Sequence, residues 1–181
     1  MFCYEEDDCL FCCGGSDYGC LRRCEGEDCR RRDDAAVVEL RDFGAEPTVI
    51  DIERYTLAND NFRTALWTGG NLQLTLMSVP AGGQVGLECH DGIDQFLRVE
   101  SGCGRVEMGD SRERLDFVRE AGEDFAIIVP AGKWHNIINT GDAPLKLYSI
   151  YAPAEHAHGT VHRTYEEAMQ AEAEHGHAIV M

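Results

Sequence analysis

The sequence predicts an all-β domain, a sandwich, jelly roll or small barrel, preceded by a cysteine-rich extension and followed by a short helix. Three observations carry this. From Thr48 onward the chain breaks into short β-rich runs: TVIDI, FRTALWT, NLQLTLMSV, VGLECH, DQFLRVE, CGRVEM, FAIIVP, HNIIN and LKLYSIY. Turn signals separate them at Gly69-Gly70, Pro80 to Gly83, Ser101-Gly102, Gly109-Asp110, Ala121-Gly122, Pro130 to Gly132 and Thr140 to Asp142. No helical stretches intervene, so layered or closed sheets are expected rather than alternating strands and helices.

The organisation follows from composition. The 181 residues, 44% apolar, suffice for one domain with a sizeable core. Residues 1–34 form a cysteine-rich extension, 35–47 a charged linker stopped by Pro47, 48–163 the β domain, and 164–181 a helix and tail. The net charge of -17, with 33 acids against 16 Lys plus Arg, opposes nucleic-acid backbones and anionic membranes, so neither is expected as a partner. The start MFCYEEDDCLF has no basic segment leading into an apolar run, and no stretch approaches the roughly 18 to 20 apolar residues of a membrane span. A cytoplasmic protein is expected.

In that compartment thiols stay reduced, so the nine cysteines point to metal ligands or packing before disulfides. Cys3, Cys9, Cys12, Cys13, Cys20, Cys24 and Cys29 crowd the head, which has few large aliphatic residues to bury. Cys9-x-x-Cys12 with Cys20-x3-Cys24 could hold zinc or an iron–sulfur cluster; a loose, redox-sensitive tail is the alternative. Cys89 and Cys103 read as buried small hydrophobes.

Within the β domain, NLQLTLMSV places Leu72, Leu74 and Leu76 on one face and Gln73, Thr75 and Met77 on the other. Core on one side and a cavity or partner on the other is expected. In DQFLRVE, Gln95 shares its face with Leu97 and Val99, where a polar group is costly unless bonded. Thr164-Tyr-Glu-Glu167 is a capping box, predicting a surface helix from Thr164 to His175 with a thin stripe of Tyr165, Ala168, Met169 and Ala173. The segment carrying His156, His158 and His162 reads as an extension returning across the barrel, with an accessory metal site as the lesser alternative. Phe62, Trp67 and Phe96 are read as outward aromatics that a second copy would cover, predicting a homodimer.

Glu88 and His90 stand two apart in a β-like run, so their side chains leave the same face while Cys89 points away. Asp91-Gly92 then signals a tight turn, after which Gln95 can return opposite them. A later stretch, PAGKWHNIIN, offers His135.

These two stretches resemble the motifs of the cupin superfamily, specifically small single-domain bacterial cupins of the mannose-6-phosphate isomerase-like type. The first motif has the form G-x5-H-x-H-x(3,4)-E-x6-G, and Glu88-Cys89-His90, Gln95 and Gly102 occupy its ligand positions and terminal glycine. The second has the form G-x5-P-x-G-x2-H-x3-N, and Pro130 to Asn139 matches its later half without a gap. The sequence departs from the pattern with Glu88 in place of a histidine and Gln95 in place of a carboxylate. The resemblance spans about Asp51 to Tyr165. It implies a double-stranded β-helix, or jelly roll, and a divalent metal (Zn, Mn, Fe or Ni) held by Glu88, His90, Gln95 and His135. Two imidazoles and one carboxylate make up such a site, with an amide oxygen as a weak fourth ligand. The alternative is a metal-free cluster in which these groups bond one another.

The implied function is a metal-binding cupin with a small-molecule ligand, acting as a sugar or sugar-phosphate isomerase. An iron-dependent dioxygenase and a non-catalytic binding module remain open. A phosphorylated substrate would want cations, and only Arg98, Arg105 and Lys133 lie near the motifs.

Overall fold

The computed structural model describes residues 37–174. The chain divides into a first unit, Met1–Val37, and a second, Val38–Met181, which holds the described β domain. The predicted knuckle of Cys9, Cys12, Cys20 and Cys24 lies outside the described residues.

The elements run α1 (Ile52–Ala58), β1 (Arg63–Thr68), β2 (Gln73–Val79), β3 (Asp94–Ser101), β4 (Cys103–Gly109), β5 (Phe117–Gly122), β6 (Ala126–Val129), β7 (Trp134–Asn139), β8 (Leu145–Ala152), β9 (Val161–His162) and α2 (Tyr165–Glu174). A six-stranded sheet has the order β6-β3-β8-β2-β1-β9, and a three-stranded sheet the order β5-β4-β7. All named pairs are antiparallel. The core joins both sheets through Met77, Val79, Leu97, Val99, Val106, Ile137 and Leu147, and α2 adds Ala168 and Met169. This is the predicted jelly roll with its C-terminal helix.

Several local expectations are corrected. TVIDI is not a strand: Asp51 caps α1 by accepting from the Arg54 amide at 3.2 Å, so a helix begins at Ile52 despite its β-branched start. On β2 the structure decides which face turns inward. Met77 joins the core, so Gln73 and Thr75, both fully buried, point inward with it; Leu72 is exposed and Leu74 half-buried. Leu76, on the opposite face, is buried too. Phe62, taken for an outward aromatic, is 2% exposed and stacks edge-on with Tyr165 of α2. Cys103 is exposed and Cys89 half-buried.

The two motif stretches run antiparallel side by side. Val85 and Ile137, and Glu88 and His135, are joined by backbone hydrogen bonds, and the Gly132 amide donates to the His90 carbonyl at 2.9 Å. Gly132 has φ +76°, a conformation that side chains other than glycine rarely adopt, so this link depends on the motif glycine. The segment from Gln84 to Glu88 thereby lies along β7 as irregular backbone with isolated bridges rather than as the predicted strand. The returning segment behaves as expected: β9 pairs with β1, setting His162 opposite Arg63. No described helix is long and apolar enough to cross a membrane.

Candidate metal centre

Glu88, His90 and His135 meet inside the barrel, 2%, 9% and 1% exposed, with ligand atoms all within 4.8 Å of one another. Among the described residues this is the one such group of histidine, cysteine and acid side chains. Glu88 Oε1 stands 3.2 Å from His135 Nε2 and 3.3 Å from His90 Nε2.

The hydrogen-bond inventory of the three decides what can sit between them. His135 Nδ1 is 3.1 Å from the Lys133 carbonyl oxygen, which can only accept, so Nδ1 carries the proton and donates. In the neutral ring Nε2 is then a bare lone pair facing an acceptor-only carboxylate oxygen, an arrangement that needs a cation. His90 repeats it: Nδ1 is 3.2 Å from Glu155 Oε1 and Nε2 faces Glu88, and neither nitrogen has a well-aligned hydrogen bond. Burial disfavours the His90 cation, but the Glu155 and Glu88 carboxylates outweigh it and push the ring up to about 10. Burial likewise pushes the Glu88 carboxyl up, and the His135 and His90 rings overcome this and hold it well below the usual carboxylate range. A proton on His90 serves Glu88 and Glu155 but leaves the His135 Nε2 lone pair against the carboxylate; a divalent ion satisfies both imidazoles and the carboxylate together. The donor set therefore fits a metal. Glu155 on His90 and the Lys133 carbonyl on His135 supply the outer contacts that orient metal-binding histidines.

Gln95 is buried on β3, cross-strand from Tyr151. Its Nε2 donates to Ser149 Oγ at 2.9 Å, and its Oε1 has no partner, the state expected of a free amide ligand. The Tyr151 ring meets His90 edge-on at 5.6 Å. Burial and the nearby Glu88 charge push its hydroxyl well above the usual range, so it keeps its proton.

Sequence reasoning missed Arg63, Glu155, Tyr151 and Glu172. Arg63 on β1 is fully buried, 3.9 Å from Glu88 Oε2 through Nη2 and bonded through Nη1 to Glu172 of α2. Its signal was a lone cation on the same strand face as Ala65. The three tail histidines do not form one group: His156 meets Tyr151 edge-on at 5.1 Å and lines a cavity with His162, while His158 turns out to Gly44 and Asp42. Arg98, Arg105 and Lys133 are paired with Glu100 and Asp124, with Glu107 and with Asp110.

An antiparallel double sheet that gathers two imidazoles and a carboxylate in its interior defines a jelly roll with a group able to hold a metal. Residues 75–151 match the family model described as Cupin domain. The chain is 53% identical over 147 residues to protein YrkC of Bacillus subtilis (strain 168), covering 81% of this chain and 79% of that one. It is 34% identical over 114 residues to protein L612 of Acanthamoeba polyphaga mimivirus, covering 62% and 69%. Among solved structures, BH2720 of Bacillus halodurans is 55% identical with a TM-score of 0.71, covering 72% of this chain and 98% of that one. The chain belongs to the cupin superfamily.

Proposed function

We propose that the chain is a divalent-metal cupin acting on a small, unphosphorylated, polar substrate by proton transfer, as in the isomerisation of a hydroxy-carbonyl compound. The observation that carries the metal is the opposed pair of acceptors: His135 Nε2 and Glu88 Oε1, 3.2 Å apart, with the other ring nitrogen already committed to a carbonyl. Glu88, His90 and His135 are the ligands, with Gln95 Oε1 as a neutral fourth. When bound, the metal supplies Lewis acidity toward a carbonyl or hydroxyl. Around it the chain supplies a protonated Tyr151 hydroxyl beside His90 as a donor and the Gln95 amide as an orienting group. The three surface cations near the motifs are each held by an acid, and Arg63 is engaged by Glu172, which argues against a phosphate group in the substrate.

Metal analysis of the purified protein beside a His90→Ala, His135→Ala double variant tests the site. Metal in the first and none in the second is expected; equal content removes the reading. Turnover of unphosphorylated aldoses by the Mn, Zn or Ni form tests the reaction.

The second reading, an iron-dependent dioxygenase, is favoured by the same donor set, since two imidazoles and one carboxylate leave positions open on iron. Oxygen uptake by the iron form supports it. Silence in both assays with ligand-induced thermal stabilisation points to a binding module.

A further inference from the structure

Glu172 occupies a position where a helix of this kind has use for an apolar residue. Three residues of α2 are buried, Ala168, Met169 and Glu172, so the acid sits in the inward stripe and carries its charge to the fully buried Arg63. A buried ion pair is a poor stabiliser, because desolvating two charges offsets most of their attraction. The pair has a different geometric consequence. Arg63 stands between two carboxylates: Nη1 is bonded to Glu172 Oε1, and Nη2 lies 3.9 Å from Glu88 Oε2, too far for a hydrogen bond and close enough for charge. Glu88 in turn offers its other oxygen to both histidines. A cavity of about 120 Å³ flanks this end of α2, lined by Ala171 and Glu172 on one side and His156 and His162 on the other.

We infer that Arg63 and Glu172 are positioning residues that couple metal occupancy to the docking of α2, and this rests on the metal reading above. A cation at Glu88 Oε1 draws on the same carboxylate charge that attracts Arg63, so the guanidinium shifts its weight to Glu172 and the helix is held more firmly. Conversely, without the Glu172 charge Arg63 has Glu88 as its remaining carboxylate partner among the contacts named here, and it competes with the metal for it. The coupling is reciprocal by thermodynamic necessity.

The test uses the full chain with Zn(II), its affinity measured by competition with a chelator, and amide hydrogen exchange across residues 168–172 with and without the ion. In the unaltered protein Zn(II) is expected to slow exchange in α2. Glu172→Gln is expected to weaken Zn(II) binding roughly tenfold, within the usual range of coupling between sites, and to make exchange in α2 indifferent to the ion. Glu172→Asp is expected to recover part of the affinity, and Glu174→Gln, an equal charge change on the exposed side of the helix, to leave it unchanged. Unaltered affinity in Glu172→Gln, or a helix whose exchange in the unaltered protein ignores bound Zn(II), overturns the coupling while leaving the metal site standing. Failure of the unaltered protein to bind Zn, Mn, Fe or Ni removes the metal reading itself, and the coupling with it.

Discussion

The two walls of the barrel treat buried polar groups in opposite ways. On the small-sheet wall they are tied down. Asn139 donates to the carbonyls of Val79, Pro80 and Ala143 and accepts from the Gly141 amide; Asn136 joins Gln84 and the Gly86 amide; His135 is fixed by the Lys133 carbonyl. On the large-sheet wall Gln73 is bonded to Thr68 and His156, but Thr75 Oγ1, Gln95 Oε1 and Arg63 Nε are buried with no hydrogen-bond partner among the described residues. One wall is a finished clamp that sets the ligand geometry. The other leaves polar capacity free, facing the same interior, and each such buried group calls for an explanation.

The contrast can be broken by substitution. Arg63→Met should have the largest effect, about 3–5 kcal/mol of stability in urea unfolding, because it strands Glu172 as a buried acid without its cation, while Glu88 keeps His90 and His135. A loss under about 1 kcal/mol would mean that the large wall carries no structural charge. Asn139→Ala removes three donated bonds and one accepted bond, and should cost about 2–3 kcal/mol while metal content per folded chain stays as it was. If metal is lost with it, clamp and scaffold are not separable. Thr75→Val should do the reverse, raising stability by about 0.5–1 kcal/mol, since the hydroxyl removed has no partner. Substrate or ligand affinity, measured by thermal shift, should fall; an unchanged shift would show that this hydroxyl is not held in reserve.

The smallest effect lies on neither wall. Asp42 accepts from Thr68, Gly159 and Gly44, fastening the segment before α1 to β1 and to the returning loop. Burial pushes its carboxyl up, but the bonds from Thr68, Gly159 and Gly44 and the nearby His158 outweigh it and hold it below 3.8. The folded-state value lies below the unfolded one, so its contribution is fully present above 3.8 and is lost as pH falls through the lower value. Acid titration of the unfolding midpoint should therefore decline less steeply in Asp42→Asn than in the unaltered protein.

The contrast between the walls also marks what could be read from the sequence. The clamp is local in sequence terms: Glu88 and His90 stand two apart in one short stretch, and Pro130 to Asn139 is a contiguous motif, so both were legible. The strands were legible through alternation and turns, except where alternation carries no burial. FVREAG of β5 has its first four residues exposed, and no periodic signal announced it. The inward face of β2 was not legible, because Gln73 and Thr75, though fully buried, look like solvent-facing residues in the sequence. Arg63, Glu155, Tyr151 and Glu172 come from four separate parts of the chain and converge only through sheet order and the docking of α2. Glu172 was hidden further because a charged residue in a helix stripe reads as surface.

The ion pair of Arg63 and Glu172 spans 109 positions along the chain, and Glu88 and His135 span 47. β8 lies between β3 and β2 in the sheet order, so both contacts depend on strands brought together from distant parts of the sequence, and pairing of that kind is the slow part of folding.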